Sequence, residues 1–292
     1  MNDFYRKEIF ETTRTALITG ASRGFGLLTT VTLARRGWHV LATMRDLNRR
    51  DRLESAARAA GVLEQIEFHT LDVTDLQQIS VLASQVEKRP SPLHAIVNNA
   101  GFALPGFAED VTDGELRRQL DTNFFGAAAV TRAFLPQLRR QRFGHVAMIS
   151  SISGRIAFPG LGSYAASKFA LEGWSEALRL EMKPLGIHVV LVEPGSFRTE
   201  IRDRNAGLPA GLLDPLSPNA ARATRWHSRV HGDTRRADPQ VVADKIASIL
   251  ANPRPRPRYI VGKDAALGLV LRLLLPWRLL ERLIIKGTGM DQ

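Results

Sequence analysis

In GSYAASKFALEG, residues 162–173, a phenol and an amine stand four positions apart, at Tyr164 and Lys168. On a helix that spacing puts both on one face, where an ammonium favours the phenolate of a tyrosine whose unperturbed pKa is about 10. Each unit of lowering corresponds to about 1.4 kcal/mol of preference for the charged form. A phenol tuned in this way can give a proton to a carbonyl oxygen or take one from an alcohol. Thirteen residues earlier, Ser151 follows the apolar run HVAMIS (145–150), where a hydroxyl can meet the same oxygen. Taken alone, Tyr164 and Lys168 read equally as a helix-surface pair, and Ser150-Ser151 as a turn.

A second group of residues suits a phosphate. The run TALIT (15–19) leads into TGASRGFG, with Gly20, Gly24 and Gly26 ahead of a helical pattern and Ser22, Arg23 and Phe25 among them. Glycines at a strand-to-helix turn let the backbone approach a pyrophosphate, and the helix N-terminus adds free N–H groups and a favourable dipole. Three glycines also serve a plain chain reversal. After the second apolar run, ATMRD offers Thr43, Met44 and Arg45 where an NAD enzyme carries an acidic residue for the ribose 2′-hydroxyl. A guanidinium there can bind a 2′-phosphate with paired donors, and Arg23 can bracket it from the glycine turn. Asp46, beside Arg45, is the residue that would oppose this.

The glycine spacing, G-x-x-x-G-x-G, resembles the TGxxxGxG motif of the short-chain dehydrogenase/reductase family, in its NADP-preferring branch. Further matches follow in order over about residues 15–262: Asp72 in LDVTD, Asn98-Asn99-Ala100-Gly101, Asn123 in TNFFG, Ser151, YAASK, and Pro194-Gly195 with Thr199. The resemblance implies a catalytic tetrad of Asn123, Ser151, Tyr164 and Lys168, with Asn123 holding a water that links Lys168 to solvent and Lys168 also binding the nicotinamide ribose. It implies NADP(H) as cofactor. Asp72 and Val73 would lie at the adenine, with Asn98 supporting that end and the sheet. Asn99, Ala100 and Gly101 would line the cofactor site, and Pro194, Gly195 and Thr199 would hold the nicotinamide. Without the family, Asp72 reads equally as a turn cap.

Positioning these groups calls for an α/β fold. Apolar runs at 15–19, 39–43, 66–70, 93–98, 145–150, 188–193 and 258–262 alternate with helical patterns such as 26–37 and 169–182. The alternation predicts a single doubly wound Rossmann-type domain over 1–292, with a parallel sheet of about seven strands and helices on both faces. The polar stretch MNDFYRKEIFETTRT reads as a lead-in without a secretory signal. The Pro- and Gly-rich segment 196–238 reads as a substrate lid, ended by an N-cap at Asp238 and proline at the first helical position, Pro239.

His227 and His231 share the spacing of a helical metal pair, but no neighbouring glutamate completes a site, so no metal is expected. The segment 264–287 reads as an amphipathic helical extension. After Pro276 it sets Arg278, Glu281, Arg282 and Lys286 on one face and Leu279, Leu280, Leu283 and Ile284 on the other. Its charges are too frequent for a membrane span. Docking on its own core or on a partner subunit is the main expectation, with peripheral membrane contact the alternative.

The formal charge of +11 raises nucleic acid as a partner, but the arginine pairs are scattered and lack interleaved aromatics, so none is expected. The absence of cysteine excludes disulfides and thiolate metal sites and fits the cytoplasm. Together these features predict an NADP-dependent enzyme that interconverts an alcohol and a ketone or aldehyde. Phe102, Leu104, Ile152, Phe158, Leu161 and Phe197 are candidates for an apolar pocket suited to a steroid, retinoid or fatty acyl type of substrate, and equally for core. The alternative is a non-catalytic NADP-binding regulatory or scaffold protein on the same fold. The resemblance also implies a homo-oligomer joined through the helices carrying Asn123 and Tyr164.

Overall fold

The computed structural model describes residues 13–198, 211, 217–231 and 237–290, with backbone alone for 227–231. The apolar runs form β1 (Thr15–Ile18), β2 (His39–Met44), β3 (Ile66–Thr70), β4 (Leu93–Asn98), β5 (Gly144–Ile149), β6 (Ile187–Pro194) and β7 (Arg258–Val261). All pair in parallel, in the order β3-β2-β1-β4-β5-β6-β7. The helices are α1 (Gly24–Arg35), α2 (Asp51–Ala59), α3 (Leu76–Glu87), α4 (Asp113–Leu120), α5 (Ala127–Gln141), α6 (Gly162–Met182), α7 (Ala220–His231), α8 (Gln240–Ala251), α9 (Lys263–Leu274) and α10 (Trp277–Thr288).

A parallel strand covered on both faces buries successive side chains on opposite sides, which explains its continuous apolar sequence. Ala16 and Ile18 of β1 enter one core with Leu33 of α1, Leu53 of α2 and Ile246 of α8. Leu17 enters the other, with Ile79 of α3, Phe134 of α5 and Leu171 of α6. The chain winds outward from β1 to β3 and then returns to β4 on the other side of β1. The crevice above the carboxyl ends of β1 and β4 is therefore the switch point at which such sheets bind ligands.

Two expected boundaries differ. Pro239, not Asp238, is the N-cap of α8; the Asp238 carboxylate instead accepts the N–H of Gln240 at 2.9 Å. The C-terminal extension is two helices, because Pro276 has no N–H with which to continue the ladder. Its apolar face is also divided: Leu280 is buried, whereas Leu279 and Leu283 are exposed. Within 196–238, the segment read as a lid, α7 is helical and buries Trp226, which lies edge-on to Phe107 at 6.4 Å. Thr199 and the side chains of His227 and His231 lie outside the described residues. Among the described residues no helix is long and apolar enough to cross a membrane.

Candidate active site

The glycine turn is held by contacts that exclude side chains. Gly20 has φ +67°, and a Cβ there would stand 2.9 Å from Ala100 Cα. A Cβ on Gly26 would stand 2.3 Å from the Gly20 carbonyl oxygen, so α1 starts directly against the turn. Thr19 Oγ1 accepts the N–H groups of Asn99 (3.0 Å) and Ala100 (2.9 Å), and Asn99 Nδ2 donates to the carbonyls of Thr19 and Gly20. The ends of β1 and β4 are thereby locked together at the switch point. No side chain caps the first turn of α1 and no acidic residue stands in it, which leaves its N–H groups for an anion.

A cleft of about 470 Å³ opens in front of this turn. Gly20, Ser22, Arg23, Gly24 and Phe25 line it together with Asn99, Ala100 and Gly101. Asp72 and Val73 also line it. Asp72 also performs the local role: its Oδ1 accepts the backbone N–H (2.9 Å) and the hydroxyl (2.7 Å) of Thr74. Gly26 acts through packing and does not line the cleft; Asn98, bonded to Thr131 Oγ1 at 2.8 Å, braces the sheet.

Beyond β2, Arg45 is joined in the lining by Arg49, a residue that sequence spacing did not single out beyond its place in a scattered arginine pair. A short 3-10 turn, Leu47–Arg49, brings it back to the cleft. Asp46 pairs with Arg49, at 3.8 Å between Asp46 Oδ2 and Arg49 Nε. The glycine cradle, the open helix N-terminus and this basic side fit a dinucleotide carrying a 2′-phosphate.

A smaller cavity of about 70 Å³ adjoins the cleft, sharing Phe25, Asn99 and Gly101 with it. Ser151, Tyr164 and Lys168 line it together, with Pro194, Gly195 and Phe197 opposite. Ser151 caps the 3-10 turn Ile152–Gly154, its hydroxyl accepting from Ser153 N at 3.1 Å. Lys168 is buried, donates to the Ile149 carbonyl at 2.8 Å, and holds its Nζ 5.7 Å from the centre of the Tyr164 ring. Burial pushes the Lys168 ammonium down to about 8, with the Glu172 carboxylate acting against it.

Asn123 stands behind this cavity without lining it. It lies in a π-helical turn, Asp121–Gly126, between α4 and α5. Its Oδ1 accepts from Phe102 N at 3.0 Å, and its Nδ2 donates to Phe102 O (2.9 Å) and Ser167 Oγ (3.0 Å). A Cβ on Gly101 would stand 3.0 Å from Asn123 Oδ1 and 3.8 Å from Lys168 Nζ, so the two groups flank the same glycine.

Of the apolar candidates, Phe197 lines the small cavity and meets Phe25 edge-on at 5.8 Å, and Phe102 lines the cleft. Leu104 and Leu161 are core; Ile152 and Phe158 are half-buried and line neither space. One contributor was hidden from the sequence. Asp264, in the first turn of α9, accepts from Ser196 N at 2.7 Å and packs where a Gly195 Cβ would sit, so the C-terminal extension supports the Pro194–Gly195 segment.

Comparison with known proteins places this arrangement among relatives. The family described as short chain dehydrogenase matches residues 14–207. The chain is 38% identical to the uncharacterized oxidoreductase YusZ of Bacillus subtilis, over 93% of this chain and 97% of that one. It is 33% identical to the 3-ketodihydrosphingosine reductase of Bacteroides thetaiotaomicron, over 84% and 87%. A short-chain dehydrogenase structure from Streptomyces avermitilis superposes with a TM-score of 0.80 at 34% identity, covering 96% of this chain and 99% of that one. Two structures at 25% identity hold different cofactors. One from Burkholderia cenocepacia is in complex with NADP (TM-score 0.68, covering 90% and 98%), and one from Burkholderia phymatum is in complex with NAD (0.76, 89% and 93%).

Proposed function

Because the chain belongs to the short-chain dehydrogenase family, we propose that it is an NADP(H)-dependent oxidoreductase interconverting an alcohol and a ketone or aldehyde. The observation that carries this is the meeting of the two spaces at Phe25, Asn99 and Gly101: a dinucleotide cleft opens onto a cavity lined by a phenol, an ammonium and a hydroxyl. The bound cofactor supplies or accepts the hydride. Tyr164 gives its proton to the oxygen as an alkoxide develops, or takes it in the reverse direction. Lys168 favours the phenolate form between those events, and the Ser151 hydroxyl holds the oxygen. Asn123 fixes the Phe102 backbone and the back of the Lys168 pocket.

Because relatives of similar identity hold NADP or NAD, the choice rests on this chain's own charges. Arg45 and Arg49 face the cleft beyond β2, and the carboxylate there, Asp46, is engaged with Arg49. That supports NADP. The aromatic wall of Phe25 and Phe197, together with the reductase that bears the sphingosine name, supports a lipophilic carbonyl substrate.

Exposed Phe125 and Phe169 sit on the helical elements that carry Asn123 and Tyr164, with exposed Leu116 on the adjoining α4, and support a homo-oligomer joined there. Along α9 and the start of α10, Leu267, Val270, Leu273, Leu274 and Trp277 are exposed beside Arg272 and Arg278, which supports contact with an anionic membrane surface.

The test is NADPH and NADH consumption over a panel of long-chain and aromatic aldehydes and ketones, with Tyr164→Phe as control. Turnover with NADPH, reduced about 10²–10⁴-fold by Tyr164→Phe, is expected. Tight NADPH binding with no turnover on any carbonyl would favour the regulatory reading, and full activity of Tyr164→Phe would refute the mechanism.

A further inference from the structure

The stripe that holds Tyr164 and Lys168 continues for one more turn. Glu172 stands four residues beyond Lys168 on α6 and is buried, an expensive place for a carboxylate unless it is paired. Its partner comes from the far end of the chain. Arg258, at the start of β7, contacts Glu172 Oε2 and Glu193 Oε1 through the same Nη1, and donates from Nη2 to Glu176 at 2.6 Å. Glu193 is fully buried on β6, immediately before Pro194 and Gly195, and Arg155 approaches it at 3.4 Å from beyond the Ser151 turn. Gly154 makes room for this cluster, since a Cβ there would lie 2.8 Å from Glu172 Cγ.

We propose that Glu172 is a positioning residue for Lys168: clamped through Arg258 to the β6 end that carries Pro194–Gly195, it supplies the buried counter-charge that keeps the lysine an ammonium. The inference rests on the reading of Tyr164 and Lys168 as the acid–base pair. Among the described residues, the charged and titratable groups around Lys168 and this clamp are Tyr164, Glu172 and Glu176 on α6, Glu193 on β6, Arg258 on β7, Arg155 after β5 and Asp264 of α9 against Gly195. Without Glu172 the buried Lys168 loses the carboxylate one turn away, whereas the half-buried Arg258 keeps Glu193 and Glu176. The ammonium is the cation that can lose its proton. Burial already holds Lys168 near 8, and Glu172 is the group that opposes this, so neutralising it moves the lysine further down. Glu172 is itself raised above the usual carboxylate range, first by burial and further by Glu193, with Ser150 and Arg258 acting against this, so the arginine limits a shift that burial sets.

The direct test observes Lys168 itself. In protein labelled with ¹³C at lysine Cε and free of cofactor, the Lys168 resonance, assigned with Lys168→Met, is titrated in wild type, Glu172→Gln and Glu172→Asp. A wild-type midpoint near 8, lowered by about one unit in Glu172→Gln and restored toward wild type in Glu172→Asp, is expected; one unit is about a tenfold change in protonated fraction. In carbonyl reduction the alkaline limb of kcat moves to lower pH in Glu172→Gln in step with that midpoint, while kcat at pH 6 stays within about threefold of wild type. An unmoved Lys168 midpoint, or a kcat lowered equally at every pH together with a lower Tm, would make Glu172 merely structural and overturn the inference. Retained activity in Tyr164→Phe would instead refute the acid–base reading beneath it, so the two failures are separable.

Discussion

Arg45 and Arg49 reach the same edge of the cleft by different routes. Arg45 follows β2 directly, whereas Arg49 reaches the cleft because a 3-10 turn folds back, with Asp46 accepting the N–H of Asn48 at 2.9 Å. The pair divides the charge at this edge: Asp46 offsets Arg49, and Arg45 faces the cleft with no ion partner of its own among the described salt bridges. Replacing Arg45 with Asp should move the kcat/KM ratio for NADPH over NADH toward NADH by at least about tenfold, since a bidentate phosphate contact becomes a repulsion. Arg49→Asp should give a smaller shift in the same direction. Cofactor selectivity unchanged in both variants would remove the 2′-phosphate argument.

At the scale of elements, the site is assembled by close packing and by irregular turns. The junction of α1 with β1 tolerates no Cβ, because Gly26 would strike Gly20 O and Asn99 Nδ2, at 2.3 and 2.5 Å. Gly26→Ala is therefore expected to cost about 1–3 kcal/mol, a Tm fall of roughly 2–10 °C, and to weaken NADPH binding as the turn shifts. Gly114→Ala in α4, where an added Cβ meets nothing within 4 Å, should leave Tm the same or slightly higher. Calorimetry of the two variants checks the contrast; equal Tm values would refute it. The π-helical turn Asp121–Gly126 is a second such device. It bonds Asn123 to the Phe102 backbone, a geometry that a regular helical pattern through TNFFG does not predict.

For the molecule as a whole, the sheet holds His94 buried and His69, His145 and His188 half-buried, and this lowers its stability in acid. His145 on β5 is held down to about 4, chiefly by burial, with its bond to the Asn252 carbonyl acting against that and His188 adding to it. His69, His94 and His188 are lowered too, each first by burial. The unfolded chain binds these protons below about pH 6.5, before the folded protein does. The histidine contribution to stability is therefore complete above that value and declines as pH falls, that of His145 continuing to decline until about 4. Tm should drop between pH 7.5 and pH 5, and His145→Gln should flatten that slope. A Tm constant over this interval would contradict the reading.

The sequence by itself determined the strand–helix alternation, the glycine turn and the spacing of Ser151, Tyr164 and Lys168, because helix and strand periodicities are local and place neighbours by short-range geometry. It left open whether Asp72 capped a turn or faced a ligand; in the fold it bonds Thr74 and also lines the cleft. Only the tertiary structure decided that Asn123 braces the pocket from behind, that Arg49 joins Arg45, and that Asp264, Arg258 and Glu193 converge on the segments holding the site. Arg49 is close to Arg45 in the chain, but Asn123 and Phe102 lie 21 residues apart, Arg258 and Glu193 65, and Asp264 and Ser196 68. Their proximity follows from the parallel order of β5, β6 and β7 and from where burial forces charges to pair, and no local spacing encodes either.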